Sequence, residues 1–305
     1  MNFKAHGKLL LSGEYLVLSG AEALAIPLKF GQELSVSEGP INQITWISKS
    51  PTGIWFSATF KENSQIIEAS SEKSAQFVSG IILAINSLRS NFFQQFIGKT
   101  ITITADFNMS WGLGSSSSLI GLLAQLAAVD PLTLHRMVSN GSGYDAVAAV
   151  SSGAFLYNLR NGVATITPTT LSPVFSHGVY FAYLGKKEDS QAGVSRFLRS
   201  EKVWPSGMID EISTISYSMA HAESIPHLCQ LMERHEEIIS EVLGIKPLKQ
   251  LRFNDFEGSV KSLGAWGGDF AMFCSSLPTN QVYSYIAAKG LTPIFRFNDI
   301  TLGYD

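Results

Sequence analysis

Cysteine is almost missing from this chain: Cys229 and Cys274 are the only two in 305 residues. One pair allows no disulfide framework, and neither Cys-x-x-Cys nor a zinc spacing occurs, so a reducing, cytoplasmic compartment is expected. Charge is sparse as well, at 15% of residues and a net −3, with no long basic run. That argues against nucleic acid as a partner, and it leaves any anionic ligand to local cations and helix N-termini. Apolar runs of about 20 residues are absent too, so no membrane span is expected. The apolar stretch at residues 9–18 carries Glu14, and no signal peptide is expected from it. His221, His227 and His235 lie among glutamates but form no His-Glu-x-x-His, so no metal site is expected of them. What is plentiful is hydrophobic sequence, 45% of the chain, enough for a substantial core and unlike a disordered or coiled-coil protein. The length suits one large or two modest domains.

The opening is β-rich. Residues 2–17 predict a strand broken around His6-Gly7-Lys8, and residues 30–37 alternate. Residues 44–48 and 53–60 predict a hairpin. Residues 72–90 predict a helix with Ala75, Val78, Ile81, Ile82 and Ile85 on one face. Asp130-Pro131 starts a short helix ending near Val138, and Asn140-Gly141-Ser142-Gly143 makes a tight loop before a small-residue helix. Strands are expected at 155–158 and 163–168, a linker at 169–177 and a strand at 179–184. Further helices are expected from near Gln191, at 205–223, 226–243 and 279–289, and also over 253–263. Strands at 270–273 and 292–297 complete a βαβ-like end that suits a ferredoxin-like second domain.

One stretch organises the rest. The alternating strand 100–105 leads into Ser110-Trp111-Gly112-Leu113-Gly114-Ser115-Ser116-Ser117-Ser118, and an amphipathic helix follows with Leu119, Leu122, Leu123 and Leu126 in register. Glycines let backbone N–H groups approach an anion, and a helix's first N–H groups lack intrahelical partners. The loop is therefore a candidate phosphate seat, or simply a serine-capped helix after a flexible loop. It is not a Walker A loop, since no Gly-Lys-Ser/Thr follows.

Two other segments join it. Gly112-Leu113-Gly114-Ser115-Ser116 resembles the central motif of the GHMP kinases (galactokinase, homoserine kinase, mevalonate kinase, phosphomevalonate kinase). Gly7-Lys8-Leu9-Leu10-Leu11-Ser12-Gly13-Glu14-Tyr15 resembles their first motif, and Gly264-Ala265-Trp266-Gly267-Gly268-Asp269-Phe270 their third. The three stand in family order and cover nearly the whole chain. The resemblance implies an α+β, two-domain fold. Residues 1–170 would form a ribosomal protein S5 domain 2-like N-terminal domain, and residues 171–305 a ferredoxin-like C-terminal domain.

It also implies ATP and Mg²⁺ as cofactors and phosphoryl transfer to a small anionic molecule, by a monomer or homodimer. Gly112, Leu113, Gly114, Ser115, Ser116 and Ser117 would bind ATP, with Ser116 also a ligand of the metal. Asp145 would orient the acceptor and take its proton, and Lys8 would pair with Asp145 and support the moving phosphoryl. Without the family, Asp145 reads as a helix N-terminal acid and Lys8 as a surface lysine. Substrate contacts would come from Glu14, Tyr15, Ser142, Lys186, Ser190, Gly267 and Gly268; for Lys186 a solvated turn is the plain alternative. Gly13-Glu14-Tyr15, Gly141-Ser142-Gly143-Tyr144-Asp145 and Gly267-Gly268-Asp269 lean toward phosphomevalonate kinase, with mevalonate kinase or a non-catalytic binding protein as alternatives.

The chain departs from the family at four points. Asn108 stands for a proline, Trp266 for a glycine and Tyr15 for the histidine of mevalonate kinases. Between Pro131 and Tyr144, where mevalonate kinases place a Mg²⁺-binding glutamate, there is no acid, and Leu134 or His135 occupies that neighbourhood.

Overall fold

The computed structural model describes residues 2–304 apart from 62, 189, 200, 201 and 267, and the backbone but not the side chain of Ser190. The chain forms two compact units, neither continuous in sequence. The first holds the residues up to Gly7, Phe30–Met109 and Leu113–Ser151; the second holds Lys8–Lys29, Ser110–Gly112 and the residues from Ser152 on. The expected boundary after residue 170 falls inside the second unit.

The first six strands are β1 (Asn2–Ser12), β2 (Ala23–Glu38), β3 (Ile44–Ser50), β4 (Gly53–Phe60), β5 (Ile66–Ala69) and β6 (Lys99–Ala105). The unit division falls within β1 and β2. In the first unit the order is β5-β4-β3-β6-β2, where Gln32–Glu38 of β2 pair antiparallel with β6 and β3 runs parallel to β6. Inward residues of this sheet, Trp46, Phe56, Phe60, Ile101 and Ile103, share one core with Ile81, Ile85, Leu122 and Leu123 from the helices.

Local chemistry sets those helices. Ser71 accepts the Ser74 N–H at the start of Glu72–Leu88, whose apolar stripe is buried as its spacing requires. Asp130 accepts the Thr133 N–H at 2.6 Å and opens Pro131–Val138, with proline at the first turn. The helix Ser115–Ala127 packs on Pro131–Val138 and on the short helix Tyr144–Ala148. At Gly121 a Cβ would come within 2.9 Å of the Ala149 methyl, so the close approach at that point needs glycine.

In the second unit Ala23–Ala25 of β2 pair with β7 (Phe155–Arg160), which turns into β8 (Val163–Pro168) through Asn161-Gly162. Both turn residues have positive φ, 51° and 75°, the requirement of a two-residue type I′ hairpin. A second sheet contains β9 (Val179–Tyr183), β10 (Ser259–Ser262), β11 (Phe270–Cys274) and β12 (Ile294–Arg296), in the order β10-β11-β9-β12 with every pair antiparallel. The helices Ser206–Ala220 and Ile225–Leu243 lie in sequence between β9 and β10, and Thr279–Ala288 between β11 and β12. That is a βαββαβ unit with ferredoxin-like strand order. Tyr180, Ala182, Val260, Phe273, Val282 and Ile286 share its core.

Two local expectations fail. β1 is unbroken through His6-Gly7-Lys8. Residues 253–263 are not helical: Gly258 sits at φ 142°, and Ser259–Ser262 form β10. Phe253, Phe256 and Val260 share the same core at a near-helical spacing, but the chain reaches it through a turn and a strand. Among the described residues no helix is long and apolar enough to cross a membrane.

Candidate active site

The central loop is built for a turn into a helix. Gly112 and Gly114 have φ of 73° and 96°, a region that side chains avoid, and the helix begins at Ser115. The Ser118 N–H bonds to the Gly114 carbonyl at 2.9 Å, the first intrahelical bond. The N–H groups of Ser115, Ser116 and Ser117 belong to the first turn, where a helix supplies no carbonyl and its dipole favours an anion. Ser116 is exposed and Ser115 half-buried. Two of the residues expected to meet the nucleotide turn their side chains inward. The Leu113 side chain is fully buried, and Ser117 is buried with its hydroxyl donating back to the Gly114 carbonyl at 3.0 Å. Neither side chain faces a ligand, so these residues have only backbone to offer.

In the same unit, the helix that packs on this one carries Asp145. Its Oδ1 accepts the Ala146 N–H at 3.0 Å, and its side chain is 30% exposed, open enough to meet a small molecule. His135 Nε2 stands 3.5 Å from that oxygen. Ser142 is buried in the loop just before.

In the second unit the third motif gathers several residues distant in sequence. Lys8, Gly112, Gly264 and Asp269 line a cavity of about 10 Å³, water-sized at most. Asp269 is its centre. Its backbone has φ 56°, its N–H donates to the Lys186 carbonyl at 2.6 Å, and its Oδ1 accepts the Glu188 N–H at 3.1 Å. Burial pushes its carboxyl above the usual range, and the charge of Lys8 pulls it partly back. Gly268 lies so close to the Lys186 carbonyl and the Glu188 side chain that a Cβ would not fit. Tyr15, at φ 60°, donates from its hydroxyl to the Ala265 carbonyl at 2.9 Å and tilts its ring against Phe197. Burial, then the charge of Glu14, pushes its phenol up to about 12, so it stays a neutral donor.

Other expected contacts fare differently. Glu14 is corrected: at 1% exposure, held by Lys261 and beside His235, its carboxylate has no open side for a substrate. Lys186 is 72% exposed and pairs with Glu188 at 2.6 Å, which keeps both the solvated-turn and the substrate reading. Gly267 lies outside the described residues, as does the side chain of Ser190, whose backbone opens the helix Ser190–Arg199. Sequence reasoning named Gly267 and Gly268 and passed over Asp269, which lines this cavity with Lys8. Its signal was an acid inside a glycine-rich loop, where a side chain needs a reason to be tolerated.

The contact of Asp269 with the central loop is testable. A Cβ on Gly112 would overlap the Asp269 carboxylate, at a φ that alanine resists. Gly112→Ala should therefore cost about 1–3 kcal/mol and lower the thermal midpoint by several degrees. Thermal unfolding followed by circular dichroism measures it, and an unchanged midpoint would mean that the two do not meet.

Together the two units carry the two-domain GHMP kinase fold. The structure superposes on the mevalonate kinase of Methanococcus jannaschii with a TM-score of 0.72 and 14% identity, covering 97% of this chain and 96% of that one. It is as similar to Streptococcus pneumoniae phosphomevalonate kinase, solved with phosphomevalonate and AMPPNP: TM-score 0.72, 16% identity, 97% and 99% covered. A D-glycero-D-manno-heptose 1-phosphate kinase from Bacteriodes thetaiotaomicron gives 0.67 at 14% identity, with 99% and 97% covered. No protein-family model matches the sequence, and no curated protein matches it either. What these likenesses share with the chain is the fold.

Proposed function

We propose that this protein is an ATP- and Mg²⁺-dependent small-molecule kinase whose acceptor is anionic, with phosphomevalonate first and mevalonate second. The observation that carries it is the open N-terminus of Ser115–Ala127, packed in one unit against the helix that bears a partly exposed Asp145. Phosphoryl transfer asks a protein mainly for positioning and charge neutralisation. The backbone N–H groups of Gly114, Ser115 and Ser116 fit the nucleotide's phosphates. Asp145 orients the acceptor oxygen and takes its proton if it has one; Lys8 supports negative charge on the transferring group.

Mg²⁺ supplies charge neutralisation when bound on the phosphates. The chain itself offers little to a metal: among the described residues no three His, Cys, Asp or Glu side chains group to hold one. The exposed hydroxyl of Ser116 fits the role of one oxygen ligand to a cation whose other ligands are phosphates and water.

The test is ADP release with Mg·ATP and a panel of phosphomevalonate, mevalonate and sugar phosphates. Phosphomevalonate is expected to turn over best. Ser116→Ala should then lower turnover more than it weakens nucleotide binding measured by calorimetry; equal rates would remove Ser116 from the metal. Retained ATP binding with no turnover on any acceptor would favour the non-catalytic reading.

A further inference from the structure

We infer that His135 is a positioning residue for Asp145, holding one carboxylate oxygen so that the other meets the acceptor. The inference rests on the proposed role of Asp145. His135 comes from the helix Pro131–Val138, which packs on the helix Tyr144–Ala148 that carries Asp145. The imidazole is 3% exposed and the carboxylate 30%, so the ring lies on the protein side and the acid on the open side. Nε2 is 3.5 Å from Oδ1, an ion-pair distance short of a formed hydrogen bond, and catalytic contacts often tighten only when substrate arrives.

The tautomer follows from what surrounds the ring. A neutral imidazole has one N–H. On Nδ1, which is buried without a hydrogen-bond partner, that N–H would be stranded, and a nitrogen lone pair would face the carboxylate. On Nε2 it would have Oδ1, 3.5 Å away, as its nearby acceptor. The same oxygen accepts the Ala146 N–H at 3.0 Å. The helix backbone already donates to Oδ1, and a ring N–H closing on the same oxygen would fix the carboxylate plane and leave Oδ2 as the oxygen presented to an acceptor. Gly141 closes the loop over this edge of the ring: a Cβ there would lie 3.5 Å from both Cε1 and Nε2.

The test uses the full chain with Mg·ATP and mevalonate, whose hydroxyl must give up a proton, and is repeated with phosphomevalonate. His135→Leu should fold and lower kcat on the order of tenfold or more, with KM for the acceptor within a few-fold, as removal of an orienting partner does. His135→Gln, whose amide N–H falls near the Nε2 position, should recover most of that rate. In the Asp145→Asn background His135→Leu should cost nothing further, because its effect passes through Asp145. Long-range ¹H–¹⁵N correlation should find His135 as the Nε2–H tautomer. A folded His135→Leu at wild-type kcat, an additive loss with Asp145→Asn, or an Nδ1–H tautomer would overturn the inference. If His135→Leu does not fold, the glutamine variant and the tautomer decide; if neither acceptor turns over, the tautomer decides alone. On mevalonate, an Asp145→Asn enzyme with undiminished kcat would remove the role of Asp145 itself, whereas a crippled Asp145→Asn beside a fully active His135→Leu removes only His135.

Discussion

Asp145→Asn should lower kcat on the order of 10²–10⁴-fold on an acceptor hydroxyl that must lose a proton, such as that of mevalonate, while leaving ATP affinity within a few-fold. The substitution keeps the size of the side chain and its contact with the Ala146 N–H, and removes the charge that orients an acceptor and takes its proton. Lys8→Met should also cut kcat steeply, through a different route: the lysine supports charge on the transferring phosphoryl. The two variants separate the chemistry. If the acceptor is already a phosphate, it can attack without giving up a proton, and Asp145→Asn would retain much of its rate while Lys8→Met would not. If both kept wild-type kcat, the site would be wrong altogether. Steady-state kinetics with Mg·ATP, alongside nucleotide affinity from calorimetry, reads each outcome.

How much of this was legible in the sequence depends on how far each interaction reaches along the chain. Caps act over three residues, so Asp130 with Pro131 announced its helix correctly. The glycine-bearing loops were legible for a similar reason. A Gly112-x-Gly114 turn opening a helix is a local backbone requirement, and the positive φ values meet it. Periodicity misled where it was short. Phe253, Phe256 and Val260 fall at helical spacing, yet Gly258 and the pairing of β10 with β11 set the backbone there. Glu14 shows the larger failure. Its place beside a glycine in a kinase-like motif suggested an open ligand contact, but its partner Lys261 is 247 residues away, and no local pattern encodes such a pairing. His135 was noticed only as the occupant of a position lacking an acid; that it faces Asp145 emerges from two helices packing together.

Lys261→Met should destabilise the protein by about 3–5 kcal/mol at neutral pH, because it strands buried acid. Lys261 is fully buried; its ammonium donates to Glu14 Oε1 and to the Ser262 carbonyl, and it lies 3.9 Å from Glu236 Oε1. Burial alone would raise the Glu14 carboxyl, but Lys261 overturns that and, joined by His235 once that ring is protonated at low pH, holds it at about 2. Burial and the charge of Lys261 both lower His235, to about 4, so at neutral pH the ring is uncharged, and its Nε2 accepts the Gly13 N–H at 2.9 Å. Burial raises Glu236 to about 7, against the pull of Lys261. The signs then follow from linkage. Glu14 titrates lower in the folded state, so its stabilisation is lost as pH falls from about 4.5 toward 2. His235 also titrates lower when folded, and its contribution is lost as pH falls from about 6.5 to 4. Glu236 acts oppositely, costing stability as pH rises from about 4.5 to 7, and so offsets His235 across most of that window. The wild type should therefore vary little between pH 5 and 7 and weaken clearly below about 4.5. Without Lys261, burial dominates at Glu14 and its folded pKa moves above the unfolded one, so its contribution reverses sign and grows more unfavourable as pH rises. Urea unfolding at pH 4, 5.5 and 7 should show the gap between Lys261→Met and wild type shrinking steadily on acidification, with m unchanged. A gap independent of pH would mean that the loss comes from packing, and that Glu14 is not held ionised by this lysine.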